Sequence, residues 1–166
     1  FNQVDFGQLG GNLCTDPPNE GGAIRSQDLR PPTADPTTLD GAILRIDPAT
    51  GAAAAGNPLI GSSDLNARRI VAYGLRNPFR FTIRPGTNEV WVGDVGWNTW
   101  EEINRVQNPT DATVENFGWP CYEGSFPPAA SSRQSGYDAA NIPICENLYA
   151  PGEPNVTAPY YAYDHG

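Results

Sequence analysis

The chain contains no lysine and no methionine, a single histidine (His165), and no apolar run close to the ~18 residues of a membrane-spanning helix. Each absence excludes something. Without lysine, Schiff-base catalysis and a Walker-type phosphate loop are ruled out within these residues. With one histidine, no Ser-His-Asp arrangement is supportable, and no Cys/His spacing suggests zinc. All ten basic residues are arginine, against nineteen acidic residues and a net charge of -9, so the surface repels phosphate and nucleic acid is excluded as a partner. The chain opens on Phe1 rather than Met, and nothing there resembles the charged, apolar and small-residue order of a secretory signal. The expectation is that any signal lies upstream.

Cysteine is also scarce, at three residues, an odd count. Cys121 and Cys145 share one Gly/Pro/Tyr-rich excursion, and the expectation is a disulfide between them. Closing a loop of that length stabilises by roughly 3 kcal/mol in the chain-entropy account and suits an oxidising compartment. The other reading is two reduced thiols in a cytosolic protein. Cys14 is left over and points to a partner upstream.

What the chain does have is 18 glycines and 17 prolines, a composition natural for short strands joined by long turns, so the class is mostly β. At 166 residues it is long enough for one domain with a core. Residues 1–40 are polar, show no helical period, and read as the end of a strand followed by a long loop with little core. Ile43, Leu44 and Ile46 make a short buried strand, ended by the turn formers Asp47-Pro48-Ala49-Thr50-Gly51. Phe79–Arg84 alternates with period two, breaks at Pro85-Gly86-Thr87-Asn88 and resumes over Glu89–Asp94, which predicts a hairpin. The apolar Ile103 and Val106 do not decide between strand and helix for Glu101–Val106, while Tyr160–Tyr163 reads as a strand.

The most informative stretch is Tyr73-Gly74-Leu75-Arg76-Asn77-Pro78-Phe79-Arg80-Phe81. Pro78 disfavours the helical region for Asn77, so Arg76 and Asn77 sit on an extended stem. Arg76 then presents a planar fork of donors suited to carboxylate and quinone oxygens, and Asn77 beside it both donates and accepts. The competing reading is a surface ion pair for Arg76 and a turn cap for Asn77.

With this stretch come, in order, Leu39–Asp47, Asn57-Pro58, Gly93-Asp94-Val95-Gly96-Trp97, Glu101-Glu102-Ile103-Asn104, Asn116-Phe117-Gly118-Trp119-Pro120 and Tyr122-Glu123-Gly124. Together they resemble the glucose/sorbosone dehydrogenase family, soluble sugar dehydrogenases that use pyrroloquinoline quinone (PQQ) and calcium on a six-bladed β-propeller. The resemblance runs from about Leu39 to Gly124 and more loosely to Gly166.

The resemblance implies an all-β fold in which Glu101–Val106 is a strand. At about 40 to 50 residues per blade, it implies about three blades of the six, hence an internal fragment of a longer protein. On this division residues 1–166 are part of the propeller, 1–40 a long loop region and 119–150 an excursion closed by the disulfide.

The implied function is oxidation of an aldose at its anomeric carbon to a lactone, by hydride transfer to PQQ, with electrons leaving to an external acceptor. Arg76 stabilises negative charge growing on the quinone oxygens, and Asn77 hydrogen-bonds the cofactor. The carbonyls of Gly96 and Trp97 hold calcium, for which backbone oxygens are suitable ligands. Glu102 matches a position that serves a second, structural calcium in some members; its other reading is a solvated strand-end carboxylate. The family's catalytic histidine is expected upstream of Phe1, so His165 takes a structural role and this segment alone is expected to be inactive. The location implied is extracellular or periplasmic.

Two positions depart from the pattern: Phe79 and Val95 stand where quinoprotein members carry polar residues. That departure supports an alternative, a non-catalytic extracellular propeller that binds carbohydrate or protein. A glycosidase acid and nucleophile drawn from Glu101, Glu102 and Asp94 is disfavoured, because adjacent strand residues point to opposite faces and Glu101 and Glu102 cannot both face one substrate. Trp91 and Trp119 are expected in the core, whereas Trp97 and Trp100 stay open between packing and sugar stacking. Asn155-Val156-Thr157 satisfies the glycosylation sequon.

Overall fold

Four consecutive apolar or aromatic residues, Ile70-Val71-Ala72-Tyr73, form a strand buried on both faces (β2), as their lack of alternation requires. The computed structural model that describes the protein covers residues 22–29, 37–97, 99–124, 132–150 and 156–164. In it β2 is flanked antiparallel by β1 (Ile43–Leu44) and parallel by β6 (Glu115–Asn116), giving a three-stranded sheet.

The second sheet has the order β3-β4-β5-β7, every neighbouring pair antiparallel: β3 (Pro78–Ile83), β4 (Val90–Asp94), β5 (Trp100–Val106) and β7 (Tyr161–Asp164). The predicted hairpin and both later strands are therefore present. The turn between β3 and β4 is held by the Thr87 amide on the Arg84 carbonyl at 3.1 Å.

Register along β4 and β5 sets where chemistry can occur. The buried face carries the cross-strand pairs Val90/Val106, Val92/Asn104 and Asp94/Glu102, so one end is apolar and the other acidic. Val90, Val92 and Val106 pack with Ala72, Leu75 and Phe117 into a core that joins the two sheets. Each Val, Leu or Phe side chain among them contributes about 1.5–3 kcal/mol when fully buried. The acidic end projects past this core.

Several expectations change. Within the region read as coreless loop, Gly22–Gln27 is a 3-10 helix whose Ile24 is fully buried and whose Gln27 donates to Asn116 Oδ1 and the Trp119 carbonyl, at 2.8 and 2.7 Å. Its mixed polar sequence conceals this because the stabilising partners lie some ninety residues away. Leu44 and Ile46, read as buried, are 38% and 45% exposed: Leu44 lies on the two-residue edge strand β1, and Ile46 falls beyond it in an isolated bridge to Ala53. The excursion read as loop contains two short helices, α1 (Ser135–Ala140) and α2 (Pro143–Tyr149). Pro143 in the first turn of α2 suits a position whose N–H has no helical partner.

Cys121 and Cys145 form the expected disulfide. It lies in a second core with Ile24, Tyr122, Tyr137, Ile144, Leu148 and Tyr149. Trp119 is buried as predicted, but Trp91 is half-buried outside both cores, edge-on to Tyr160 and beneath Arg105. Among the described residues no helix is long and apolar enough to cross a membrane. The strand end at Phe1, Cys14, the sequon asparagine Asn155 and His165 lie outside the described residues.

Candidate functional site

Arg76 is positioned by a turn that only glycine accommodates. Gly74 follows β2 with φ +76°, and a Cβ there would run into Asn116 Oδ1, the Gly118 nitrogen and Gln27 Nε2. Its amide donates to the Ser26 carbonyl at 3.0 Å and its carbonyl accepts from the Trp119 amide at 2.9 Å. Leu75, fully buried, donates to the Gly41 carbonyl at 3.0 Å. The chain therefore emerges at Arg76 from a fixed base.

Asp94 holds the next two residues. Its carboxylate accepts the backbone N–H groups of Arg76 at 2.9 Å and Asn77 at 2.6 Å. Burial pushes Asp94 up to about 6, against the lowering effect of these two amides and of the Arg76 charge. The Val95 amide donates to the Asn77 carbonyl at 3.1 Å, which ties the stem to the loop after β4.

The Arg76 guanidinium lies against that loop. Nη1 donates to the carbonyls of Val95 and Gly96, at 3.0 and 2.8 Å, and the guanidinium carbon sits 5.5 Å from the Trp119 ring centre. Among the described residues Arg76 forms no ion pair with a carboxylate, so the surface ion-pair reading is not what the structure shows. Nε and Nη2 make no hydrogen bond among the described residues, which leaves donors for a ligand. Asn77 has an exposed side chain with no hydrogen-bond partner among the described residues, so it does not cap the turn.

Arg76, Asp94, Gly96, Glu102, Trp119, Tyr122 and Glu123 line one cleft. Glu102 is 7% exposed, which overturns the solvated-carboxylate alternative. Its Oε1 accepts the Gly124 amide at 2.7 Å and its Oε2 the Asn104 side chain at 3.0 Å, while burial pushes it up to about 7. The structure thus brings Arg76, Gly96 and Glu102 together. Trp97 packs edge-on to Trp119 and Tyr137 at 5.9 and 6.3 Å between ring centres, so packing accounts for its ring. Phe79, by contrast, points away as a 68% exposed residue of β3, and Val95 is half-buried in the loop.

Two contributors escaped the sequence reading. Asp94 stands in the quoted Gly93–Trp97 motif, but only the β4–β5 register places it beside Glu102. Glu123 was not: its oxygens accept the Trp97 amide and the Gln134 side chain, and nothing local in the sequence announces either partner.

A guanidinium with spare donors suits an anionic quinone, and a carbonyl oxygen that accepts one hydrogen bond, as at Gly96, keeps a second lone pair for a hard cation. Arg76 thus has donors suited to an anionic quinone, and the Gly96 carbonyl an oxygen suited to a hard cation. Among the described residues no group of three or more His, Cys, Asp and Glu is arranged to hold a metal ion.

Mostly antiparallel sheets with few helices among the described residues make this an all-β fold, and its likeness to solved structures makes it part of a β-propeller. A crystal structure of glucose dehydrogenase shares that fold at a TM-score of 0.53 and 24% identity, over 85% of this chain and 33% of that one. Residues 22–145 match the Glucose / Sorbosone dehydrogenase family, and the chain belongs to it. It is 32% identical over 98 residues to the aldose sugar dehydrogenase YliI of Escherichia coli K12, covering 59% of this chain and 24% of that protein. The PQQ-bound aldose sugar dehydrogenase of Streptomyces coelicolor is similar at 22% identity and a TM-score of 0.49, over 78% of this chain and 28% of that one. The chain thus spans a quarter to a third of the length of these relatives.

Proposed function

We propose that the full-length gene product is a PQQ- and calcium-dependent sugar dehydrogenase that oxidises an aldose at its anomeric carbon to the lactone. The single observation that carries this reading is the Arg76 guanidinium, held on the Val95 and Gly96 carbonyls over Trp119 with donors to spare. Membership of the glucose / sorbosone dehydrogenase family supports the substrate class.

PQQ, when bound, supplies the two-electron acceptor for hydride from the sugar. Arg76 holds positive charge where negative charge develops, in a cleft where low dielectric strengthens the effect. Asn77 offers an amide to the cofactor, and the carbonyls of Gly96 and Trp97 offer oxygens to calcium, while Glu102 stands at the position that would serve a second, structural calcium. Trp119 covers one face of the guanidinium. Electrons leave to an external acceptor, and the disulfide supports an extracellular or periplasmic location. The exposed Phe79 and apolar Val95 favour a second reading, a propeller that binds carbohydrate or protein without catalysis.

The test is reconstitution of the full-length gene product with PQQ and Ca²⁺, followed by dye-linked oxidation of an aldose panel. Activity that requires both additions and falls about 10²–10³-fold in Arg76→Ala supports the enzyme reading. A folded protein that binds no PQQ overturns it and leaves the binding module.

A further inference from the structure

We propose that Glu123 is a positioning residue of this site, which grips the Trp97 N–H from the disulfide-closed segment and so holds the Gly96–Trp97 carbonyls and the Arg76 guanidinium in place. The proposal deepens the reading above and rests on it for the identity of the ligands.

The loop between β4 and β5 is tied at the amides of its first three residues. Val95 donates to the Asn77 carbonyl, Gly96 to Glu101 Oε2 at 3.4 Å, and Trp97 to Glu123 Oε1. The Val95 and Gly96 carbonyls are thereby left facing Arg76 Nη1. Of the three ties, the one at Trp97 comes from a distant part of the chain.

Glu123 is itself braced. It is 5% exposed, and its second oxygen accepts from Gln134 Nε2. The Gln134 amide in turn donates to the Cys121 carbonyl at 2.9 Å, and the Glu123 amide donates to the Ser132 carbonyl at 3.0 Å. Cys121 is disulfide-bonded to Cys145 in α2, and the Tyr149 hydroxyl donates to that same Cys121 carbonyl at 2.8 Å. A buried carboxylate is expensive unless its oxygens are engaged, and here both are engaged by groups that connect the excursion to the site loop. Gly96 has no Cβ where one would meet Glu123 Oε1 and the Trp100 carbonyl, so the carboxylate and the loop are in close approach.

The experiment compares Glu123→Ala and Glu123→Gln with wild type in the full-length gene product. Hydrogen exchange of the Trp97 amide is measured without cofactor, and PQQ and Ca²⁺ dissociation constants are taken from tryptophan quenching. The expected result for Glu123→Ala is at least ~10-fold faster Trp97 exchange and 10–100-fold weaker PQQ and Ca²⁺ binding, roughly the range seen when a ligand-orienting partner is lost. Glu123→Gln keeps a carbonyl oxygen for the Trp97 N–H and is expected to recover most of both. Unchanged Trp97 exchange in Glu123→Ala overturns the proposal, as does a glutamine variant no better than alanine. Should the alanine variant not fold, Gln134→Ala removes the brace and is read by the same exchange criterion. A wild type that binds neither PQQ nor Ca²⁺ sinks the dehydrogenase reading, while the exchange arm still decides the role of Glu123.

Discussion

Replacing Asp94 with asparagine separates two consequences of burying a carboxylate at the head of the Arg-Asn-Pro stem. Burial raises Asp94 from its ordinary 3.8 to about 6. The folded state therefore binds more protons than the unfolded state between about pH 4 and 6, and stability falls as pH rises through that window. The size of the rise corresponds to about 3 kcal/mol of native stability, present below pH 4 and lost by about pH 7. Glu102, raised from 4.5 to about 7, adds a fall of similar order and the same sign.

Asp94→Asn cannot ionise, so it removes its share of the slope and leaves that of Glu102. It also loses something. One amide oxygen replaces two carboxylate oxygens, so one of the N–H groups of Arg76 and Asn77 is left unpaired at a cost of about 1–3 kcal/mol. The expectation is a variant close to wild type in stability at pH 7.5, clearly less stable at pH 4.5, and weaker in PQQ binding at both. Urea unfolding of calcium-free protein between pH 4.5 and 7.5 provides the curves. Parallel stability–pH profiles for the two proteins would refute the reasoning.

Cys145→Ser opens a loop of sequence separation 24 and is expected to destabilise by about 3 kcal/mol, read as a lower urea midpoint. Three free thiols in unfolded, unreduced wild type would contradict the bond itself. Gly96→Ala forces a Cβ into the Trp100 carbonyl and the Glu123 carboxylate; the expectation is a loss of about 1–3 kcal/mol in unfolding free energy together with impaired PQQ binding. Wild-type stability and binding in that variant would mean the loop sits further from the excursion than described.

Much of the sheet was legible because its signals are local. The alternation over Phe79–Arg84 and the turn at Pro85–Asn88 needed no knowledge of distant residues, and the hairpin they predict is present. The strand read at Tyr160–Tyr163 is present over Tyr161–Asp164. Glu101–Val106 was ambiguous by itself, since Ile103 and Val106 fit either period; pairing with β4 decided it. The 3-10 helix at Gly22–Gln27 was missed because a polar segment with a lone isoleucine has no periodicity to detect, and contact with Asn116 and Trp119 is what orders it.

At the site, the sequence by itself determined that Arg76 and Asn77 lie on a Pro78-restricted stem, because backbone restriction is a property of neighbours along the chain, while Gly96 was attached to the site only by its resemblance to the family. Where the Arg76 guanidinium rests, that Glu102 is buried rather than solvated, and that Glu123 reaches Trp97 were decided only by the tertiary structure. Each of those facts depends on a hydrogen bond or a desolvation between segments twenty or more residues apart, and the energy of such contacts exists only once the two sheets and the disulfide-closed excursion have come together.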